Sequence, residues 1–223
     1  GTVFKSVDAR LLERYFEHVA PQRFTHEQQR AVSGFGVRAS IPAMSVMARR
    51  SDPLADFADV MPEESRYHPD LNPTGARATI YDHTVNVYGR DPSTGFARRP
   101  LDNVGIQYGL ATLNEGVIDM GQFLDLNEAM GGLDIDFLPQ AERTAGDPGA
   151  IAAAYRTGRI ISGRALASVP IVDFRAYLDM SENGDNHMKL HSFSLRERLV
   201  RENGHADNHV LLVTHSGQRS GFA

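Results

Sequence analysis

Towards the C-terminal end of the chain the spacing of apolar residues switches from alternation to a three-to-four residue period and back. Val169-Pro-Ile-Val-Asp-Phe-Arg-Ala-Tyr-Leu-Asp179 has the β-branched and aromatic content of a strand. A polar loop follows through Gly184-Asp-Asn-His187, and a helical pattern with Phe193, Leu195 and Leu199 runs to Gly204. His209-Val-Leu-Leu-Val-Thr-His215 then reads as a second strand with a histidine just past it. The predicted order is strand, acidic loop, helix, strand.

Upstream, the pattern is mostly helical. Leu11, Leu12, Tyr15, Phe16 and Val19 fall on one face, with Asp8 placed to cap that helix. Thr25-His-Glu-Gln28 has the spacing of a capping box and opens a second helix that ends near Gly34. Residues 50–77 hold Pro53, Pro62, Pro69 and Pro73, which break any long element and predict an irregular surface segment. Thr79 to Tyr88 carries enough β-branched and aromatic residues to predict strand, and Gly89 to Gly95 supplies a turn, so a short β-hairpin is expected near 79–98. Pro100 to Glu115 is expected to be helical, with Leu101, Val104, Tyr108 and Ala111 on one side and Gly116 as its stop. Asp119 to Gln122 caps a further helix that stops at Gly131-Gly132, and Asp147-Pro148 starts one that ends near Gly158. Residues 1–160 thus read as a mainly helical lid or insertion, and 161–223 as a return to a sheet.

Composition narrows the chemistry. With 223 residues, 41% of them apolar and 23% charged, the chain can bury a core. A net charge of −5 argues against nucleic acid as a partner, because Arg49-Arg50 and Arg98-Arg99 are only short basic clusters. The absence of cysteine excludes disulfides, thiolate metal sites and a cysteine nucleophile. No run is long enough to span a membrane, and the N-terminus has no apolar signal core.

The C-terminal order matches the way an α/β-hydrolase presents the acid and base of a Ser/Asp/His triad. His215, just past the last strand, is the candidate base. Asp179, at the end of the first strand, and Asp185, in the loop, are the candidate acids; Gly184 permits a sharp turn beside Asp185, and the following helix favours an ionised carboxylate there. No serine sits in a Gly-x-Ser-x-Gly elbow between strand and helix, and Ser33 in Ser33-Gly-Phe-Gly36 follows a helix. His187 and His191, four apart, form with Asp185 a rival metal site, although Asn186 and Met188 stand where a zinc peptidase needs glutamate; otherwise His187 stands behind the acid. Asp134 and Asp136 read as a polar loop, since the glycine and terminal glutamate of a calcium loop are missing. Tyr108, Phe123 and Tyr155 are candidate pocket-lining residues.

Several stretches resemble a large bacterial family known only as a domain of unknown function. They are Asp8 to Phe16, Asn86 to Leu110, Ala154 to Arg159 and Gly184 to His187. Its members look like α/β-hydrolases distantly similar to tannases and feruloyl esterases. The resemblance implies the C-terminal part of such a fold, with the first strands and the serine elbow on a companion polypeptide or a preceding N-terminal part. It also implies export, to the periplasm or outside the cell. The leading expectation is therefore a serine-type hydrolase of ester or amide bonds, using no cofactor and no metal. A metal-dependent hydrolase built on Asp185, His187 and His191 and a non-catalytic polymer-binding fragment are the alternatives.

Overall fold

The computed structural model describes residues 2–55, 57 and 60–214. Helix α1 (Thr2–Arg14) runs without a break into a wider π-helical turn, Tyr15–Val19. Val7, Leu11, Leu12, Tyr15 and Phe16 are buried, as their spacing demands. Because α1 begins at Thr2, Asp8 lies inside the helix and is not its cap; its carboxylate instead accepts a hydrogen bond from the Tyr108 hydroxyl at 2.6 Å. Helix α2 (His26–Ser33) is closed at its start by the Thr25/Gln28 box, with both reciprocal bonds formed, and ends at Gly34 in the left-handed conformation. Such a cap stabilises a helix by about 1 kcal/mol. Helix α3 (Ser40–Ser45) packs across α1, and Ile41 and Met44 join the main core there.

The proline-rich stretch is irregular and is organised by one buried arginine. Arg77 lies between the rings of Tyr67 and Phe96, at 4.4 and 4.0 Å, and its guanidinium reaches Asp136 at 2.7 Å and Asp82 at 3.4 Å. The strand expected over Thr79–Tyr88 is helical instead: a 3₁₀ turn at Asp82–Thr84 leads into α4 (Val85–Tyr88). The Thr79 hydroxyl accepts from the backbone N–H groups of Tyr81 and Asp82, which starts a helical turn where propensity alone favours extension. The expected hairpin shrinks to a single bridge, Arg90 to Ala97, around a turn whose N–H groups at Ser93 and Thr94 bond the Asp91 carboxylate.

The helix expected from Pro100 is also largely absent; only α5 (Leu110–Asn114) forms. Asn103 is the reason. Its backbone N–H donates to Thr144 O, its side-chain oxygen accepts from Thr144 N–H, and its amide donates to Gly131 O at 2.9 Å. These long-range bonds hold Asn103 to Thr144 and Gly131 and take the segment out of a helix. Helix α6 (Met120–Ala129) carries its own complete box between Asp119 and Gln122. The glycines after it do more than end it, because a Cβ on Gly131 would lie 2.1 Å from Gln140 O and one on Gly132 2.3 Å from Thr144 N. Here β1 (Gly132–Leu133) and β2 (Pro139–Gln140) pair antiparallel. The Asp134 carboxylate holds the connecting turn by accepting from Asp136 and Leu138 N–H. Helix α7 (Pro148–Arg156), capped by Asp147, sets Ala150 and Ala154 against Tyr81 and Tyr88 in a second, smaller core.

The C-terminal unit follows the sequence pattern. Strand β3 (Ile171–Ala176) and strand β4 (His209–Thr214) pair in parallel, Ile171 opposite His209 through Ala176 opposite Thr214, and helix α8 (Leu190–Asn203) connects them. Leu199 of α8 is fully buried against Gly163. Among the described residues β3 and β4 pair only with each other. Val172, Val210 and Leu212 are exposed on them.

Candidate functional site

Ligands of parallel sheets gather beyond the carboxyl ends of the strands, and the segment leaving β3 lies there. It is held against the start of α3. A Cβ on Gly36 would lie 2.5 Å from Asp179 O, and one on Gly184 2.4 Å from Ala39 O. The Asp185 N–H donates to the buried Ser40 hydroxyl at 3.1 Å. Two regions far apart in sequence thus fix the loop.

The two candidate acids differ in what they touch. Asp179 accepts from the Lys189 N–H at 3.1 Å and lies 3.6 Å from Lys189 Nζ, which in turn sits 3.3 Å over the Tyr177 ring. Its oxygens are engaged in starting the α8 segment. Asp185 is buried to about 10% side-chain exposure, and its Oδ1 faces His187 Nδ1 at 3.3 Å. Its Oδ2 is buried with no hydrogen-bond partner among the described residues. Such an oxygen is costly unless a donor arrives.

His187 is 78% exposed, whereas His191 is half-buried at the start of α8 and its Nε2 lacks a hydrogen-bond partner among the described residues. Burial, reinforced by the nearby charges of Lys5 and Arg175, lowers the His191 pKa and favours the neutral imidazole, against a hydrogen bond to the Asn186 backbone. Asp185, His187 and His191 are not gathered as ligands: among the described residues no three histidine or carboxylate side chains are grouped to hold a metal. His215 lies outside the described residues.

Of the expected lining residues, Tyr108 lines a cavity of about 420 Å³ with Asp8, Ser33 and Leu110. Tyr108 is buried between Asp8 and Asn103, with Arg143 over its ring at 5.0 Å, and its pKa is pushed far up by burial and by Asp8. Phe123 packs on the main core, and Tyr155 is exposed on α7. Ser33 closes α2: its hydroxyl donates to Arg30 O and accepts from Phe35 N–H, which occupies it structurally. Asp136 is taken up by Arg77 and Tyr67.

Sequence reasoning passed over a polar cluster on the inner face of the parallel pair. Arg175 Nε donates to Asp173 at 3.0 Å and to the buried Ser192 of α8 at 2.8 Å. Fully buried His209 places Nε2 3.6 Å from the other Asp173 oxygen. The signal was the alternation along β3, where Asp173 and Arg175 take every second place between Val172 and Phe174. Arg175, Asn186, His187 and His191 line one cleft with Lys5, Arg159 and Arg198.

Parallel strands joined by a helix thus place Asp185 and His187 together in the loop that leaves β3. The chain belongs to a tannase-like family of unknown function, matched over residues 1–222. No curated protein and no solved structure matches it. The family links the chain to esterase-type hydrolases.

Proposed function

We propose that the protein is a serine-type hydrolase of ester or amide bonds in which this chain supplies acid, base and lid. A companion polypeptide, or a preceding N-terminal part of the same protein, carries the α/β-hydrolase half with the nucleophilic serine and the oxyanion hole. The short parallel pair supports this. Two strands make too small a sheet to stand alone, and among the described residues neither outer edge is paired, with Val172, Val210 and Leu212 exposed on the two strands. Residues 1–160 act as the lid.

The observation that carries the reading is the buried Oδ2 of Asp185, which has no hydrogen-bond partner among the described residues. A triad acid accepts the Nδ1–H of the base, orients the ring and stabilises its charged form, while Nε2 takes the serine proton. In this reading Asp185 is the acid and His215, next in sequence after β4, is the base. Asp179, occupied by Lys189, is structural. A second reading makes His187 the base, because its Nδ1 already faces Asp185 Oδ1 and its ring is open to solvent.

The test uses the assembled protein and p-nitrophenyl acetate. Asp185→Asn lowers kcat by about 10²–10⁴-fold, and Asp179→Asn leaves it unchanged. A comparable loss in His215→Ala alone supports the first reading, and in His187→Ala alone the second. Native mass spectrometry is expected to find a second polypeptide with this chain, or this sequence within a longer one. A stable 223-residue single chain with full activity overturns the divided site.

A further inference from the structure

The cleft beside Asp185 has a charge that runs against the rest of the molecule. The chain carries a net −5, yet four cationic side chains, Lys5, Arg159, Arg175 and Arg198, line this cleft of about 330 Å³. They come from α1, the turn after α7, β3 and α8. One carboxylate, Asp173, also lines it, and its Oδ1 is engaged by Arg175. Lys5, Arg159 and Arg198 have no ion-pair partner among the described residues. Arg198 is held in place by donating to Ile161 O at 2.9 Å. Ile161 and Leu195 give the same cleft an aliphatic wall.

We propose that this cleft binds an organic oxyanion, a carboxylate or phosphate group carried on a small aliphatic body. Like charges brought together on a half-enclosed surface destabilise one another, and an anion relieves all of them at once. The titrating groups feel both the burial and the neighbouring charges. Burial lowers the Lys5 pKa, with Arg198 adding to the effect against the pull of Asp8, and Lys5 and Arg175 add to the burial that lowers the His191 pKa. Guanidinium groups recognise planar or tetrahedral oxyanions through paired N–H donors, and the volume suits a small molecule. Binding here does not require the hydrolase reading. Where that reading holds, the cleft also gives the substrate class, an ester or amide bearing a negative group, since His187 and Asn186 line the same space.

Isothermal titration of the full protein with sodium hexanoate and with sodium phosphate tests this, sodium chloride at equal ionic strength being the reference. Saturable one-to-one binding of at least one of the two anions is expected. Tighter hexanoate points to a carboxylate ligand and tighter phosphate to a phosphoryl ligand. Arg159 is exposed, so Arg159→Gln leaves the fold intact and weakens binding about tenfold, the loss expected for one charge-assisted hydrogen bond. Arg201→Gln removes the same charge from α8 outside the cleft and leaves binding unchanged. In the unsubstituted protein the His191 ring-proton titration moves to higher pH on saturation. Heats no greater than those of chloride, or equal weakening by Arg159→Gln and Arg201→Gln, overturn the proposal. Neither readout needs turnover, so a failed esterase assay and a failed binding assay are separate results.

Discussion

Asp185 and His187 stand on opposite sides of the solvent boundary: the carboxylate is about one-tenth exposed and the imidazole facing it, 3.3 Å away, nearly four-fifths exposed. The loop spends burial on the acid and leaves the histidine free. A carboxylate with one orphan oxygen gains little for the fold. Asp185→Asn is therefore expected to leave the unfolding free energy within about 1 kcal/mol of the parent while abolishing most of the proposed hydrolysis. Equal loss of stability and activity would instead mark Asp185 as structural.

Asp179 should behave in the opposite way. Its carboxylate accepts the Lys189 N–H and helps to hold the Lys189 ammonium over Tyr177. Asp179→Ala removes a cap-like bond and is expected to cost about 1–2 kcal/mol in chemical denaturation. Asp179→Asn, which keeps an acceptor, should recover most of that. In both variants kcat of the folded fraction stays at the parent value.

Gly184 couples the loop to α3. Its φ is +75°, and an added Cβ would meet Ala39 O at 2.4 Å and Ser40 N at 2.6 Å, backbone atoms that cannot turn away. Gly158 is the matched control, with φ +74° and nothing within 4 Å of a Cβ. Gly158→Ala is expected to cost about 1 kcal/mol through backbone strain alone. Gly184→Ala should cost clearly more and also lower kcat, because the loop carrying Asp185 must shift. Equal denaturation midpoints for the two variants would show that the loop is not docked on α3.

What could be read from the sequence was local. The boxes at Thr25/Gln28 and Asp119/Gln122 and the strand–helix–strand pattern after Val169 depend on neighbours a few residues away, and the structure contains them. Thr79 to Tyr88 was misread because burial of Tyr81 and Tyr88 against α7, with the Thr79 hydroxyl as local cap, outweighs β propensity. Residues 100–109 were misread because Asn103 finds its partner in Thr144, 41 positions away. The same limit applied to the acids. Asp179 and Asp185 look alike until Lys189 claims one and Ser40, 145 positions upstream, anchors the backbone of the other. The inner-face cluster of Asp173, Arg175 and His209 lay in plain alternation on β3, but its meaning required knowing which face α8 covers.

The Asp8–Tyr108 bond makes a prediction about pH. Burial raises the Asp8 pKa above 3.8, and the Tyr108 hydrogen bond and the charges of Arg143 and Lys5 offset this only in part. A folded-state pKa above the unfolded one means that the folded protein holds more protons, so stability falls as pH rises through the interval between them. Asp8 contributes most below pH 3.8 and progressively less as it ionises in the fold. Asp8→Asn keeps an acceptor for the Tyr108 hydroxyl and never ionises. The stability of Asp8→Asn relative to the parent is thus expected to rise with pH from about 4 upward and to level off once Asp8 is ionised in the fold. Urea midpoints of the two proteins across that range measure the gap. Tyr108→Phe removes the donor and leaves Asp8 buried without it, so it should destabilise at pH 7 by about 1–3 kcal/mol and steepen the same dependence. A gap between Asp8→Asn and the parent that stays constant with pH would show that Asp8 ionises as freely in the fold as in the unfolded chain.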